Sequence, residues 1–286
     1  MAAKKKTANI AIFIILFALA LLFLYPIFVV LMNSFKSKLY IATQPFAFPS
    51  LLPDGNNAAT FVGFTNYING IVKTNFMKAF GYSAFITVFS VGLIVLFTSM
   101  TAWYITRVKS RITSTLYYLF VFSMIVPFQM VMFSMSKVAS MLHLDNPVGI
   151  LFLYLGFGSG LSVFMFSGFV KSIPLDIEEA ATIDGCNPIQ IFFRIVFPIL
   201  KPTAITVAIL NAMWVWNDYL LPLLVIGNDY KTIPVAVQGV LTGSYGSKDM
   251  GALMAMLVIS IIPIIIFYLS CQKHIIKGVV AGAVKG

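Results

Sequence analysis

Residues 171–201 read KSIPLDIEEAATIDGCNPIQIFFRIVFPILK, the least membrane-like interval between two long apolar runs at 146–170 and 202–226. Pro174 followed by Asp176, Glu178 and Glu179 suits a helical first turn, where acidic side chains meet the positive end of the helix dipole. Gly185 and Asn187-Pro188 end that helix, because glycine accepts a left-handed cap and proline disfavours helix in the residue before it. A second amphipathic piece follows, with Ile189, Phe192, Phe193 and Val196 on its apolar side. The spacing predicts a helix–turn–helix lying at the inner membrane face, with small Ala180 and Ala181 open to close approach by a partner. An interfacial helix that only anchors the loop satisfies the same pattern.

Working outward, the chain of 286 residues is 60% hydrophobic and only 10% charged. That excludes a soluble fold, since the apolar atoms outnumber what one compact core hides from water. Uncharged stretches at 7–35, 79–106, 112–136, 146–170 and 250–272 each exceed the length needed to cross a bilayer. A sixth, 202–226, is interrupted only by Asp218. The runs do not alternate in polarity, so they are helices and not barrel strands. The predicted fold is therefore an all-α polytopic membrane domain over residues 1–286, with six spans at about 8–33, 79–106, 112–136, 146–170, 202–226 and 250–272.

Six spans put both termini on one side. Placing them in the cytoplasm leaves 12 basic residues inside against 7 outside, as the positive-inside rule asks. The net charge of +10 thus punctuates apolar runs and forms no nucleic-acid patch. Lys4, Lys5 and Lys6 precede a run too long for a secretory signal and lacking a small-residue cleavage site, so it reads as a retained helix. Cys186 and Cys271 stand apart, without a CxxC or a nearby His pair, which predicts neither a disulfide nor a metal site. The longer connections are the inner loop 171–201 and two outer loops, 34–76 and 227–249.

In the fifth span Asn211, Trp214 and Asp218 fall on one helical face, with Asn217 beside them. Polar atoms next to a large aromatic suit a sugar, whose hydroxyls need hydrogen bonds and whose C–H face packs on a ring. The same residues could instead bond a neighbouring helix, or cap a break before Pro222. In the third span Pro127-Phe128-Gln129-Met130 predicts a kink with Gln129 near it. Gly156, Gly158, Ser159 and Gly160 in the fourth read as a close helix–helix contact.

The inner loop carries a family resemblance. Glu179-Ala180-Ala181, three residues, Gly185, nine residues, Ile195, two residues and Pro198 resemble the EAA loop of ABC importer permeases. Ser172-Ile173-Pro174, Glu178, Ile183-Asp184-Gly185 and Pro202 resemble the carbohydrate, maltose-type branch. So do Trp216-Asn217-Asp218-Tyr219-Leu220 with Pro222, and the tail from Gln272-Lys273-His274 through Gly278 and Gly282 to Val284-Lys285-Gly286. The likeness covers the chain from about Thr87 onward; Phe197 and Cys186 depart from the commoner Leu and Ala.

The resemblance implies a type I importer permease in a bacterial cell membrane, with Glu178, Glu179, Ala180, Ala181, Asp184 and Gly185 contacting a cytoplasmic ATPase. The span with Gln129 resembles the family's pathway helix, and with Asn211, Trp214, Asn217 and Asp218 of the fifth span it forms the expected pathway, Asp218 in the outer third as a gate or structural residue. The tip formed by Thr242, Gly243, Ser244, Tyr245 and Gly246, within Thr242–Lys248, resembles a loop that reaches into an extracellular or periplasmic solute-binding protein. Other partners would be a second, similar permease chain, two copies of the ATPase, and lipid. ATP and magnesium would sit on the ATPase, because no G-x-x-x-x-G-K-[ST] loop occurs here. The chain would be a translocation subunit and not an enzyme. An ion-coupled secondary carrier usually needs more spans in repeated halves and a midplane carboxylate; a permease for a polyol or glycerol phosphate shares the same branch.

Overall fold

The computed structural model describes residues 2–51, 53–54, 58–246 and 248–283, with side chains described at 10, 12–51, 60–246 and 248–273. Helix α1 (Ala2–Asn33) is followed in the first outer loop by α2 (Lys38–Thr43), a two-residue antiparallel pair of β1 (Pro53–Asp54) with β2 (Ala58–Ala59), and α3 (Thr65–Thr74). Then come α4 (Phe76–Arg107), α5 (Arg111–Ser123), α6 (Phe128–Met141) and α7 (Gly149–Val170). Helix α8 (Leu175–Ile183) precedes α9 (Pro188–Ile191), which a π-helical turn, Phe192–Val196, joins to α10 (Phe197–Asn217). The chain ends with α11 (Leu220–Val225), α12 (Ile233–Thr242) and α13 (Met250–Ala283).

By length and composition five helical stretches can cross a membrane, Ile12–Asn33, Phe76–Arg107, Gly149–Val170, Pro188–Asn217 and Met250–Lys273. The expected third span, 112–136, is instead the pair α5 and α6, bent by 108° at the break between them, and counting that pair as one span makes six. The break has a local cause. Pro127 has no N–H to continue a helix and disfavours helix at Val126, while Ser110 caps the start of α5 through a reciprocal bond with Thr113.

The fifth span also differs from its expected bounds of 202–226. Helix begins at Pro188 and stops at Asn217, so the second half of the inner loop is already part of the spanning helix. Asn187 caps it with a reciprocal Gln190 bond, and the widened π turn sits directly before Pro198, which offers no N–H to the Arg194 carbonyl. Asp218 is extended, at φ −73° and ψ 125°, and ends α10.

The chain forms two compact units, residues 1–77 with 236–263, and residues 78–235 with 264–286. In the first, residues 12–28 of α1 are exposed on every face within the chain, as a helix in lipid or against another subunit must be. The outer loop is fastened by buried polar groups. Asn66 Nδ2 donates to the Ser34 and Lys36 carbonyls at 2.8 Å each, and Lys36 Nζ donates to the Gln44 carbonyl at 2.8 Å. Lys73 pairs with Asp249 at 2.5 Å, and the Ala252 N–H donates to the same carboxylate at 3.0 Å. Burial alone would raise the Asp249 carboxyl, but the Lys73 bond, the Ala252 N–H and the positive charges of Lys73 and Lys38 hold it below the usual range.

The second unit is built on α4, α7 and α10. One core cluster gathers Ala102, Phe166, Val170, Ile173, Ala181, Phe192, Val196 and Leu200. A second cluster holds Ile86, Ile150, Tyr154, Val215, Leu221 and Ile226. The small-residue stripe of α7 works as expected at two positions. A Cβ on Gly158 would meet Ile94 Cδ1 at 2.7 Å and Asn211 Oδ1 at 2.8 Å; one on Gly160 would meet Ser123 Oγ at 2.6 Å and Met124 Cγ at 2.8 Å. Gly156 faces open space. Gly158→Val should therefore lower stability by about 1–3 kcal/mol through overpacking, read as a lower unfolding temperature of the purified protein in detergent, while Gly156→Val leaves that temperature near wild type.

Candidate functional site

The loop 171–201 is fastened through one carboxylate. Pro174 stands at the entry to α8 at φ −57° and ψ 134°, and Asp176 and Glu178 lie in its first turn. Glu178 points inward and is 6% exposed. Arg107 Nε and Nη2, on the last turn of α4, donate to Glu178 Oε1 at 2.9 and 2.6 Å. Trp103 Nε1, one turn earlier, donates to Oε2 at 2.9 Å. Arg107 Nη2 also donates to the Ile173 carbonyl at 3.0 Å, just ahead of α8. A planar guanidinium fork and an indole N–H thus satisfy both carboxylate oxygens in a largely buried setting, where such bonds are strong.

The rest of α8 divides by face. Ala181 is buried in the core cluster, whereas Glu179, Ala180, Asp184 and Gly185 are exposed, and Ile183 is 87% exposed. Gly185 takes φ +85° and donates its N–H to the Thr182 carbonyl at 3.0 Å, while the Cys186 N–H reaches the Ala181 carbonyl at 3.0 Å. This is the left-handed helix end read from the sequence. Of the six inner-loop residues singled out there, four share the open surface and two, Glu178 and Ala181, face the protein.

The fifth-span residues do share a face, and that face packs on α7. Asn211, 5% exposed, donates from Nδ2 to Ser162 Oγ at 3.2 Å and to the Val207 carbonyl at 2.9 Å. The Trp214 ring meets the Tyr154 ring edge-on, centroids 5.4 Å apart. Asp218 Oδ2 accepts from Tyr154 Oη at 3.0 Å, and its Oδ1 accepts from the Leu220 and Leu221 N–H groups at 3.0 and 3.4 Å, capping α11. Tyr154, Gly158 and Ser162 recur every fourth residue on α7, so the stripe on α10 meets a matching stripe there. Asn217 is exposed and donates to the Met213 carbonyl at 2.7 Å; Gln129 is exposed in the first turn of α6. The structure therefore does not gather the five pathway candidates into one site.

The outer tip is a folded helix end. Tyr245 lies over Gly239 of α12, where a Cβ would meet its Cε2 at 2.7 Å. Thr242 Oγ1 and Ser244 Oγ share a 2.8 Å hydrogen bond, the Ser244 N–H reaches the Gly239 carbonyl at 2.9 Å, and Gly243 and Gly246 take φ +81° and +108°. Thr242, Ser244 and Gly246 are exposed. Ser247 of that tip and Val284-Lys285-Gly286 of the tail lie outside the described residues.

Three functional partners escaped the sequence reading. Trp103 and Arg107 stand four apart on one face of α4, a spacing that lets both reach one group. Tyr154 carries no local sequence signal of its partner. These contacts give Asp218 a structural task. Asp218→Ala should lower stability by about 1–3 kcal/mol by stranding the Tyr154 hydroxyl and uncapping α11, and Asp218→Asn should lose less; a raised transport KM with unchanged thermal unfolding would point to a solute contact instead.

The comparisons with known proteins agree with this architecture. Residues 94–280 match the family model described as binding-protein-dependent transport system inner membrane component. The chain is 40% identical over 269 residues, 93% of each chain, to a probable starch degradation products transport system permease protein of Thermoanaerobacterium thermosulfurigenes. It is 36% identical over 270 residues, again 93% of each, to a multiple sugar-binding transport system permease protein of Streptococcus mutans. Its fold is that of a chain in a bacterial ABC transporter involved in the import of the acidic polysaccharide alginate, with a TM-score of 0.75 at 24% identity over 94% of this chain and 97% of that one. The chain belongs to the family of inner membrane components of binding-protein-dependent transport systems.

Proposed function

We propose that the chain is one of two membrane-spanning halves of an ATP-binding-cassette importer for a sugar of the oligosaccharide class. The observation that carries this reading is α8. It is a short helix held from one side by Trp103 and Arg107, leaving Glu179, Ala180, Asp184 and Gly185 free to meet a partner. A helix that only anchored its loop in the membrane interface would turn an apolar side alone outward, whereas the open surface here mixes Glu179, Ala180, Asp184 and Gly185 with exposed Leu175, Ile177 and Ile183.

In this reading two copies of a cytoplasmic ATPase bind ATP and magnesium, and one of them seats α8 in a groove. A second, similar permease chain completes the pathway, because six spans line only half of it. Both termini are cytoplasmic, and the outer tip Thr242–Gly246 meets an extracellular or periplasmic solute-binding protein. The chemistry of ATP stays on the partner, and this chain converts its closure into alternating access. The names of the two relatives, one for starch degradation products and one for multiple sugars, support a saccharide as the solute. The pathway residues proposed from this chain are Trp214, Asn217 and Gln129, which are exposed, with Asn211 and Asp218 shaping the helix that presents them.

The test is uptake of labelled glucose, maltose and maltotriose by cells with and without this chain, after the proton gradient is collapsed and ATP is preserved. The expected outcome is loss of uptake of one saccharide on deletion, independent of the gradient. Uptake that depends on both chain and gradient would mean an ion-coupled carrier. Loss of labelled glycerol phosphate or a polyol, with every saccharide unaffected, would retain the importer and replace the sugar.

A further inference from the structure

Helix α4 is gripped at both ends within the second unit. At one end Trp103 and Arg107 hold the Glu178 carboxylate of α8. At the other, Ser83 Oγ accepts the buried N–H of Ile233, the first residue of α12, at 2.8 Å. Tyr82 meets Tyr230 edge-on with centroids 5.5 Å apart, and Phe80 meets Trp216 at 5.8 Å. Ser83 and Ile233 are 3% and 2% exposed. From Ser83 to Arg107 the helix spans roughly 36 Å, at about 1.5 Å per residue.

Two other helices run between the two sides: α7, continuous over Gly149–Val170 and joined to α8 by residues 171–174, and α10, which is interrupted. Its helix ends at Asn217, the chain is extended at Asp218, and α11 restarts beyond it; near its inner end it also carries the π turn and Pro198 and Pro202. Helix α4 has no proline and no break over residues 76–107. A straight helix transmits displacement of one end to the other, whereas a break absorbs it.

We infer that Glu178, Arg107 and Trp103 are positioning residues that fasten α8 to α4, so that α4 acts as the strut carrying movement of α8 to the chain segment at Tyr230–Ile233 on the opposite side. Glu178 then serves the permease from within, and only its neighbours on α8 contact the ATPase. This rests on the proposed docking of an ATPase at α8. Arg107 and Trp103 read one carboxylate from a shared helix face, so a load on α8 meets two donors one turn apart.

The experiment uses the assembled complex with its ATPase in lipid nanodiscs, with Cys186 and Cys271 replaced by serine. A reporter thiol is placed at Ile183→Cys on α8, or at exposed Asp229→Cys beside Tyr230, and its maleimide labelling rate is compared without nucleotide and with ATP under non-hydrolysing conditions. With the clamp intact, ATP should change the rate at both reporters. In Arg107→Gln the change at Ile183→Cys should persist while that at Asp229→Cys shrinks between about twofold and about thirtyfold, the span expected when a coupling contact is altered. Trp103→Phe should act in the same direction, and it serves in place of Arg107→Gln should that variant not assemble. A double change of Arg107→Gln with Glu178→Gln should lose no more than either alone, because they share one bond network.

A full ATP response at Asp229→Cys in the clamp variants, or an absent response there in the intact chain while Ile183→Cys responds, overturns the strut. No response at Ile183→Cys in the intact complex would instead count against ATPase docking at α8, so the two failures are distinguishable.

Discussion

A single carboxylate, that of Glu178, decides how the membrane helices and the inner loop act together. A charge in a largely buried place must be matched, and removing one partner of such a pair typically costs about 3–5 kcal/mol. Here three donors from two residues on one turn of α4 do the matching, and Arg107 spends a further N–H on the Ile173 carbonyl at the approach to α8. The loop between α7 and α10 is thereby tied to α4. With the inward face of α8 committed, Glu179, Ala180, Asp184 and Gly185 are left outward together with Ile183, and this is the surface proposed for docking.

The same economy of polar groups governs the helix packing. Lipid offers no hydrogen bonds, so polar side chains in a span favour partners within the protein, although Thr87, Ser90, Thr106 and Ser167 have none. Asn211 bonds Ser162 across a contact that Gly158 makes close enough, and Asp218 ends α10, starts α11 and satisfies Tyr154. Polar residues on a spanning helix can therefore be read as a binding face when they are in large part the fastening between two helices. Trp214 lies at the margin, packed edge-on against Tyr154 yet partly exposed, so it can serve both ends.

Much of the architecture was legible from residue type and spacing. The apolar runs marked the spans, Pro174 and Gly185 bounded α8, and the alignment of Asn211, Trp214 and Asp218 on one face held. What failed to show was what each face meets. Hydropathy treats 112–136 as one crossing, because the bend of 108° comes from the backbone at Met124–Pro127 and not from a loss of apolar character. It starts the fifth span at residue 202, because Arg194 and Lys201 look like loop charges although both ride on a helix that begins at Pro188. Trp103, Arg107 and Tyr154 stayed hidden because their partners lie 75, 71 and 64 residues away along the chain. A long-range pair leaves no local pattern in one sequence.

The central claim is that the outward face of α8 seats an ATPase, and its most direct test is the amount of ATPase subunit that copurifies from membranes with the chain carrying Gly185→Asp. Gly185 is exposed and left-handed at φ +85°, so the change adds bulk and charge to that face and strains the end of α8, while the Glu178 donors Trp103 and Arg107 are retained. The account predicts a chain inserted in the membrane at wild-type level, with copurified ATPase and saccharide uptake both lost. Wild-type copurification together with wild-type uptake would contradict it.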